Sequence, residues 1–502
     1  MIVLWLSLVQ AEENWNDASR RDLHHYVRSA SLDIRGHVPT IDEILSLEES
    51  EELSDNTLDE WLNSLAFEER VIDYHKELFW NKLSTQVIQR RRLVRISNIY
   101  YSPSKRSTYR GNRTHCGDFE ANYDSNGQLI TQELEDGSIQ EGWVYATPYW
   151  APDSSIKLCA FDAQEADFSA SSGVACDSLD GHKEVDCGCG PNVQWCFDNN
   201  LRSDFTDSVA KEVEERVRKM LKENMSYDQF LVQPFAQVNG PMVHYFKYIY
   251  IFDDKFQPYV DIENLPDLAY SDKDAWLDVE TPDSAQGIFS SAAWLLRHQT
   301  NRGRANRLYG AFLCSEFIPV EGKIEGLTGT ELPSPDLSRR EGCVDCHARL
   351  EPMAAYWARW GEASQNYIDP ISLPSYSEEC ATCLQSNTCS TNCKNNYIVS
   401  ASHPDETPYI GWLRSVAFLS ETERFNSELG PSEWIYQSMA DGSLAQCAAS
   451  NTSRWLLGWN KEEQIQQDVA VRNYAMEFEN SGYSFRSLVR TIIKSPSYWR
   501  RP

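Results

Sequence analysis

Basic residues are scarce in this chain: 46 Lys and Arg stand against 75 Asp and Glu, for a formal net charge of −29. Nucleic acid and anionic membrane surfaces select basic patches, so neither is an expected partner, and a basic or neutral protein suits this surface better. Long apolar runs are also missing. None approaches the roughly 18–20 residues of a membrane-spanning helix, so no transmembrane span is expected. No phosphate-binding glycine loop, paired-carboxylate pattern or nucleophile motif stands out. Methionine and histidine are sparse, 7 and 10 in 502 residues, which keeps the roster of metal and haem ligands short.

Cysteine is plentiful, at 14 residues, and two of the 14 organise the reading. Cys343-Val344-Asp345-Cys346-His347 has the spacing of a covalent c-type haem attachment site. Two thiols three residues apart can add to the two vinyl groups of one porphyrin edge, and the adjacent imidazole then reaches the iron as proximal ligand. From composition alone such a pentamer would arise in roughly one chain in a hundred. The competing readings are a Cys343–Cys346 disulfide and a redox-active pair beside an unrelated histidine.

The other twelve cysteines are an even number, and such usage points to an oxidising compartment. Disulfides are expected within Cys159 to Cys196 and within Cys380, Cys383, Cys389 and Cys393. Metal is the alternative in both places: a site from Cys187, Cys189, Cys196 and His182, whose Cys-x-Cys gap suits structural zinc poorly, and zinc or an iron–sulfur cluster from the later four. The apolar stretch Ile2 to Val9, followed by Gln10, Ala11 and the acidic Glu12 and Glu13, reads as the end of an export leader without its basic start. A periplasmic or secreted location is expected.

Along the chain the pattern divides into a leader remnant (1–13), a helical region (14–104), a Cys-rich irregular and partly β insertion (105–200), a second helical region (201–300), a haem-binding region with a Cys-rich loop (301–420) and a C-terminal helical region (421–502). In the first helical region Gly36 and Pro39 break a helix and Thr40 caps the next, Ile41 to Leu47. Leu58, Leu62, Leu65, Ile72 and Leu78 follow at helical spacing, as one amphipathic helix or a broken pair. His75, within that stretch, reads as a buried histidine with a hydrogen-bond partner. Helix returns at Thr206, and Ser226 to Gln229 offers a capping box. Pro352 can open a helix whose Met353, Tyr356, Trp357 and Trp360 share one face, which is expected to cover the haem. Arg302, Arg304 and Arg307 form a basic concentration ahead of the motif. They suit either internal ion pairs or the haem propionates, with Arg304 and Arg307 the candidate propionate partners and Trp357 the candidate contact to the porphyrin.

Several stretches together, Ser31 to Thr40, Met225 to Phe230, Gly287 to Phe289, Arg302 to Arg307, Cys343 to Met353 and Ser484 to Trp499, resemble the planctomycete-type cytochrome c proteins. These are large exported bacterial proteins built from domains of unknown function and abundant also in myxobacteria. The resemblance implies one covalent haem c at Cys343, Cys346 and His347 but no particular reaction, and it covers the insertion least.

The expected fold is mainly α: a multi-helical, haem-bearing core with a loop-rich, disulfide-stapled insertion. Three functions are carried forward. The first is electron transfer through a monohaem cytochrome c, with a redox partner protein and a second axial ligand drawn from His403, His298, Met439, Met242 and His244, of which His403 is favoured. The second is a haem-dependent oxidoreductase with an open iron position acting on an organic substrate or peroxide. The third is a secreted acidic binding or structural protein.

Overall fold

Serine and threonine at the starts of apolar runs decide where most helices begin. Helix α1 (Leu23–Arg35) stops at Gly36, whose φ of +74° is one that glycine tolerates best. Thr40 then caps α2 (Ile41–Leu47), with Glu43 accepting from the Thr40 N–H at 2.7 Å. Ser54 and Ser64 cap α3 (Asp55–Leu62) and α4 (Leu65–Phe79), so the apolar series through Leu58 and Leu78 is a broken pair. The computed structural model describes residues 23–47, 53–85, 94–95, 101, 116–252, 258–315, 334–340, 342–364, 366–460 and 467–499. The expected leader at 1–13 and the start of the insertion lie outside these residues.

The longest described helix, α5 (Asn199–Lys222), begins seven residues ahead of the expected Thr206. α6 (Tyr227–Val232) follows Ser226, whose side chain makes no capping bond, so the expected capping box is not formed. Then come α7 (Ala292–Arg297), α8 (Asn301–Phe312), α9 (Val344–Ala354), α10 (Glu421–Leu429), α11 (Pro431–Ala440), α12 (Ser443–Leu457), α13 (Asp468–Asn480) and α14 (Phe485–Ile493). α14 stops at Ile493, and Pro496 opens a further turn, Pro496–Trp499, where its missing N–H costs nothing. Among the described residues helix makes up 52 % and strand 8 %, which settles the class as mainly α. Each sheet among the described residues has only two strands, such as Trp143–Ala146 with Ile156–Cys159 in the insertion and Phe235–Val238 with Leu277–Glu280.

One apolar core runs through the helices from Tyr26 to Tyr498. Helix α1 and the last described turn meet on it: the Tyr26 ring stacks on Trp499 at 3.7 Å, and Tyr498 donates its hydroxyl to Asp33 at 2.5 Å. The insertion instead has two small clusters of its own, each built around disulfide sulfur. Cys116–Cys159, Cys176–Cys187 and Cys189–Cys196 staple it, as a region with so little core requires. Three of its cysteines were the thiolates offered to a metal site, and their bonding to sulfur removes that donor set.

A second small unit, here termed the cap, spans roughly the stretch from Leu373 to Leu419. Cys380–Cys393 and Cys383–Cys389 fix it, so those four sulfurs are also consumed. Gly411 turns there at φ +86°, where a Cβ would lie 2.6 Å from that of Ala381. The cap is clamped to the main core by Arg359, which is 1 % exposed. Its guanidinium donates to Glu428 at 2.5 Å, to the Leu373 carbonyl at 2.8 Å and to Ser375 at 2.6 Å. The sixth bridge, Cys314–Cys447, joins the end of α8 to α12.

Candidate functional site

Helix α9 starts inside the Cys343 to His347 motif, eight residues before the expected opening at Pro352. Pro352 lies near the helix's far end, where it removes a single backbone hydrogen bond without stopping the helix. Cys343 is the N-cap, and its carbonyl accepts from the His347 N–H at 3.0 Å. Cys343, His347 and Glu351 therefore stack on one helix face, with Cys346 beside them. Cys343, Cys346, His347 and Leu350 are half-buried, whereas Val344, Asp345, Ala348 and Arg349 are exposed.

Cys343 and Cys346 are the two free cysteines, while the other twelve are all paired. His347 places its Nδ1 2.5 Å from Oε1 of Glu351, and that same oxygen accepts from Arg302 Nε at 2.6 Å. The carboxylate fixes the proton on Nδ1 and leaves the Nε2 lone pair available to a metal.

Glu351 also lines a cleft of about 580 Å³, within the size range of cofactor sites. It is lined by Glu351 and Ala354 of α9, by Ala355 and Ala358 in the turn that follows, by Asn301 and Arg302 of α8 and by Pro335 to Ser338. The far wall comes from the cap, at Asn395 and Arg414 to Leu419. Cys343, Cys346 and His347 are not in its lining; they connect to it through the His347–Glu351 bond. Two unpaired thiols and an imidazole bonded at Nδ1 are the donor set that would hold a covalent haem, and the cleft reached through Glu351 carries Arg302 and Arg414, which would pair with its propionates.

The other candidate residues are placed as follows. Trp357 is fully buried and donates its indole N–H to the Phe289 carbonyl at 2.9 Å. With Met353 and Tyr356 it faces the main core, and of that expected haem-covering stripe Trp360 alone lines the cleft. Arg304 is completely buried and donates to the carbonyls of His298, Leu295, Gly361 and Ser364 at 2.9, 3.2, 3.0 and 3.3 Å and to the Asn301 side chain at 2.7 Å. Arg307 donates to the carbonyls of Glu77 and Leu78 and lies 3.8 Å over the Trp80 ring. Burial pulls both guanidinium groups down to about 10, still charged at neutral pH. Neither lines the cleft; Arg302, on the opposite side of α8, does.

Among the expected second ligands, Met242 is buried in the main core and Met439 packs half-buried against it. His298 donates from Nε2 to the Phe79 carbonyl, 3.3 Å away. His244 is fully buried among Tyr149, Tyr248 and Tyr270. His403 sits on the cap, where Nδ1 accepts from the Asp405 N–H at 3.1 Å and caps the turn Pro404–Tyr409. Asp405 in turn accepts from Ser334, next to the Pro335 edge of the cleft. Cys116, Glu141 and Cys159 gather closely, but the two sulfurs are bonded to each other and leave no thiolate for a metal.

Burial pulls His75 and His298 to about 4 and His244 to about 3, so all three are neutral in the fold. His75 has the expected partner, the Val71 carbonyl at 2.8 Å. When the chain unfolds these rings take up protons below about pH 6.5, so their contribution to stability is lost as the pH falls from there towards pH 4. In an NMR titration their ring signals are expected to remain those of neutral imidazole at about pH 5. Titration of all three near pH 6.5 would contradict the burial.

No helix among the described residues is long and apolar enough to cross a membrane. Compared with protein-family models, curated proteins and solved structures, the chain matches none. The likeness to planctomycete-type cytochromes therefore rests on the stretches quoted for it.

Proposed function

We propose that this chain is an exported monohaem c-type cytochrome, periplasmic or secreted, that exchanges electrons with a redox partner protein of basic or neutral surface. One observation carries the reading: twelve of fourteen cysteines are paired, and the two left free are those of the haem-attachment spacing. In attachment each S–H adds across a vinyl double bond, forming one C–S bond and placing the hydrogen on the neighbouring carbon, with no net oxidation. The bound group supplies a one-electron Fe(III)/Fe(II) couple. His347 offers Nε2, Arg302 and Arg414 offer cations to the propionates, and Ala354, Ala355 and Ala358 leave room for a flat ring. His403 is the proposed second ligand, because it sits on the cap that faces α9 and its Nε2 makes no hydrogen bond among the described residues.

The test is maturation in a periplasm with haem-attachment machinery, followed by denaturing electrophoresis with haem staining and optical spectra. Stained protein with a low-spin spectrum that ignores carbon monoxide is expected, and His403→Ala should convert it to a form that binds carbon monoxide. Carbon monoxide binding by the unaltered protein would favour the haem-dependent oxidoreductase instead. A second reading, thiol–disulfide exchange at Cys343 and Cys346, draws on their being the two unpaired cysteines, three residues apart at the start of α9. A matured protein with no haem and both thiols open to alkylation would support it.

A further inference from the structure

We propose that Glu351 is the positioning residue for His347, holding the reduction potential of the haem low, and that Arg302 limits the effect. This inference rests on the haem reading above and concerns how the chain tunes that site.

The geometry is specific. One oxygen, Glu351 Oε1, is 2.5 Å from His347 Nδ1 and 2.6 Å from Arg302 Nε. The histidine and glutamate side chains are 20 % and 17 % exposed, so water competes poorly for the bond between them. They lie four residues apart on α9, so the helix itself brings the two side chains together. With its Nδ1 proton held by an anion, the imidazole becomes a stronger electron donor at Nε2. A stronger donor stabilises Fe(III) over Fe(II), and second-shell hydrogen bonding is one of the means by which a protein sets haem potential. Arg302 draws on the same oxygen and so withdraws part of that electron density. An ordinary surface ion pair between Arg302 and Glu351 would contribute little to stability and nothing to the potential through His347.

The two variants should move the midpoint potential of the matured protein in opposite directions. Glu351→Gln, which keeps the shape and loses the charge, should raise it, and Arg302→Gln should lower it. Simple loss of a nearby charge would also give those signs, so the double variant decides. In the Glu351→Gln background, Arg302→Gln should produce a much smaller shift than alone. An equal shift in both backgrounds, or no shift with Glu351→Gln, overturns the proposal while a haem-stained wild type leaves the haem reading standing. A wild type that matures without haem sinks both. Should the variants fail to mature, the haem-free protein still gives an answer. Its nitrogen-15 spectrum should show the His347 proton on Nδ1 and, in Glu351→Ala, a shift towards Nε2; an unchanged tautomer overturns the proposal.

Discussion

Replacing Cys343 and Cys346 together by serine is expected to abolish covalent haem completely while leaving the helical fold intact. In the proposed attachment each thiol supplies the sulfur of one thioether, and every other cysteine is bonded elsewhere. The sequence pattern suggests that the fold would suffer as well, because an aromatic face after the motif would border the emptied haem pocket. The structure removes that reason. Met353, Tyr356 and Trp357 pack into the main core, Tyr356 donating to Gln437 at 2.7 Å and Trp357 to Phe289. The two cysteines themselves are half-buried at a helix start, where serine should change stability by about 0.5 kcal/mol or less. Haem staining and thermal unfolding followed by circular dichroism give the two readouts. Covalent haem surviving in the double variant would place the attachment elsewhere. His347→Ala is the companion: it should keep the stain and lose the low-spin spectrum.

Arg304→Met is expected to destabilise the protein by about 3–4 kcal/mol, the largest effect of any single change considered. The guanidinium is fully buried and feeds four backbone carbonyls, and methionine fills the space without supplying one donor. Carbonyls left buried and unbonded carry the full desolvation cost. Two of them, Gly361 and Ser364, belong to the segment beside the cleft, so the variant should also reduce haem retention during maturation. Chemical denaturation at neutral pH measures the first effect. A loss under about 1 kcal/mol would mean that the buried carbonyls find other donors.

The arginines of α8 show where sequence reasoning stopped short. Arg304 lies in phase with Leu308 and with the buried Ala311 and Phe312, so helical spacing alone puts it on the core face. Arg302, two positions away, falls on the opposite side and reaches the cleft. Proximity to the motif suggested the group; the 100° step per residue separates its members. The α9 region behaves alike. Periodicity picks out Met353, Tyr356 and Trp357 because they are large and apolar, and they are core. The cleft floor is alanine, which carries no such signal, and its far wall comes from a cap more than thirty residues on, held there by the Arg359 bonds to Glu428 and Ser375. The mainly helical class, the break at Gly36, the Thr40 cap and the disulfides within the cap were legible because each depends on neighbours in sequence. Cys314–Cys447 was not, since 133 residues separate its ends.

That bridge has a consequence for how damage to the chain would show itself. The haem motif and the whole cap lie between Cys314 and Cys447. A protease that cuts once anywhere between those two cysteines yields two pieces that remain a single molecule. Its mass without reductant would match the uncut chain but for one added water. Only after reduction would it separate, and haem attached as proposed would travel with the piece that retains residues 343–347.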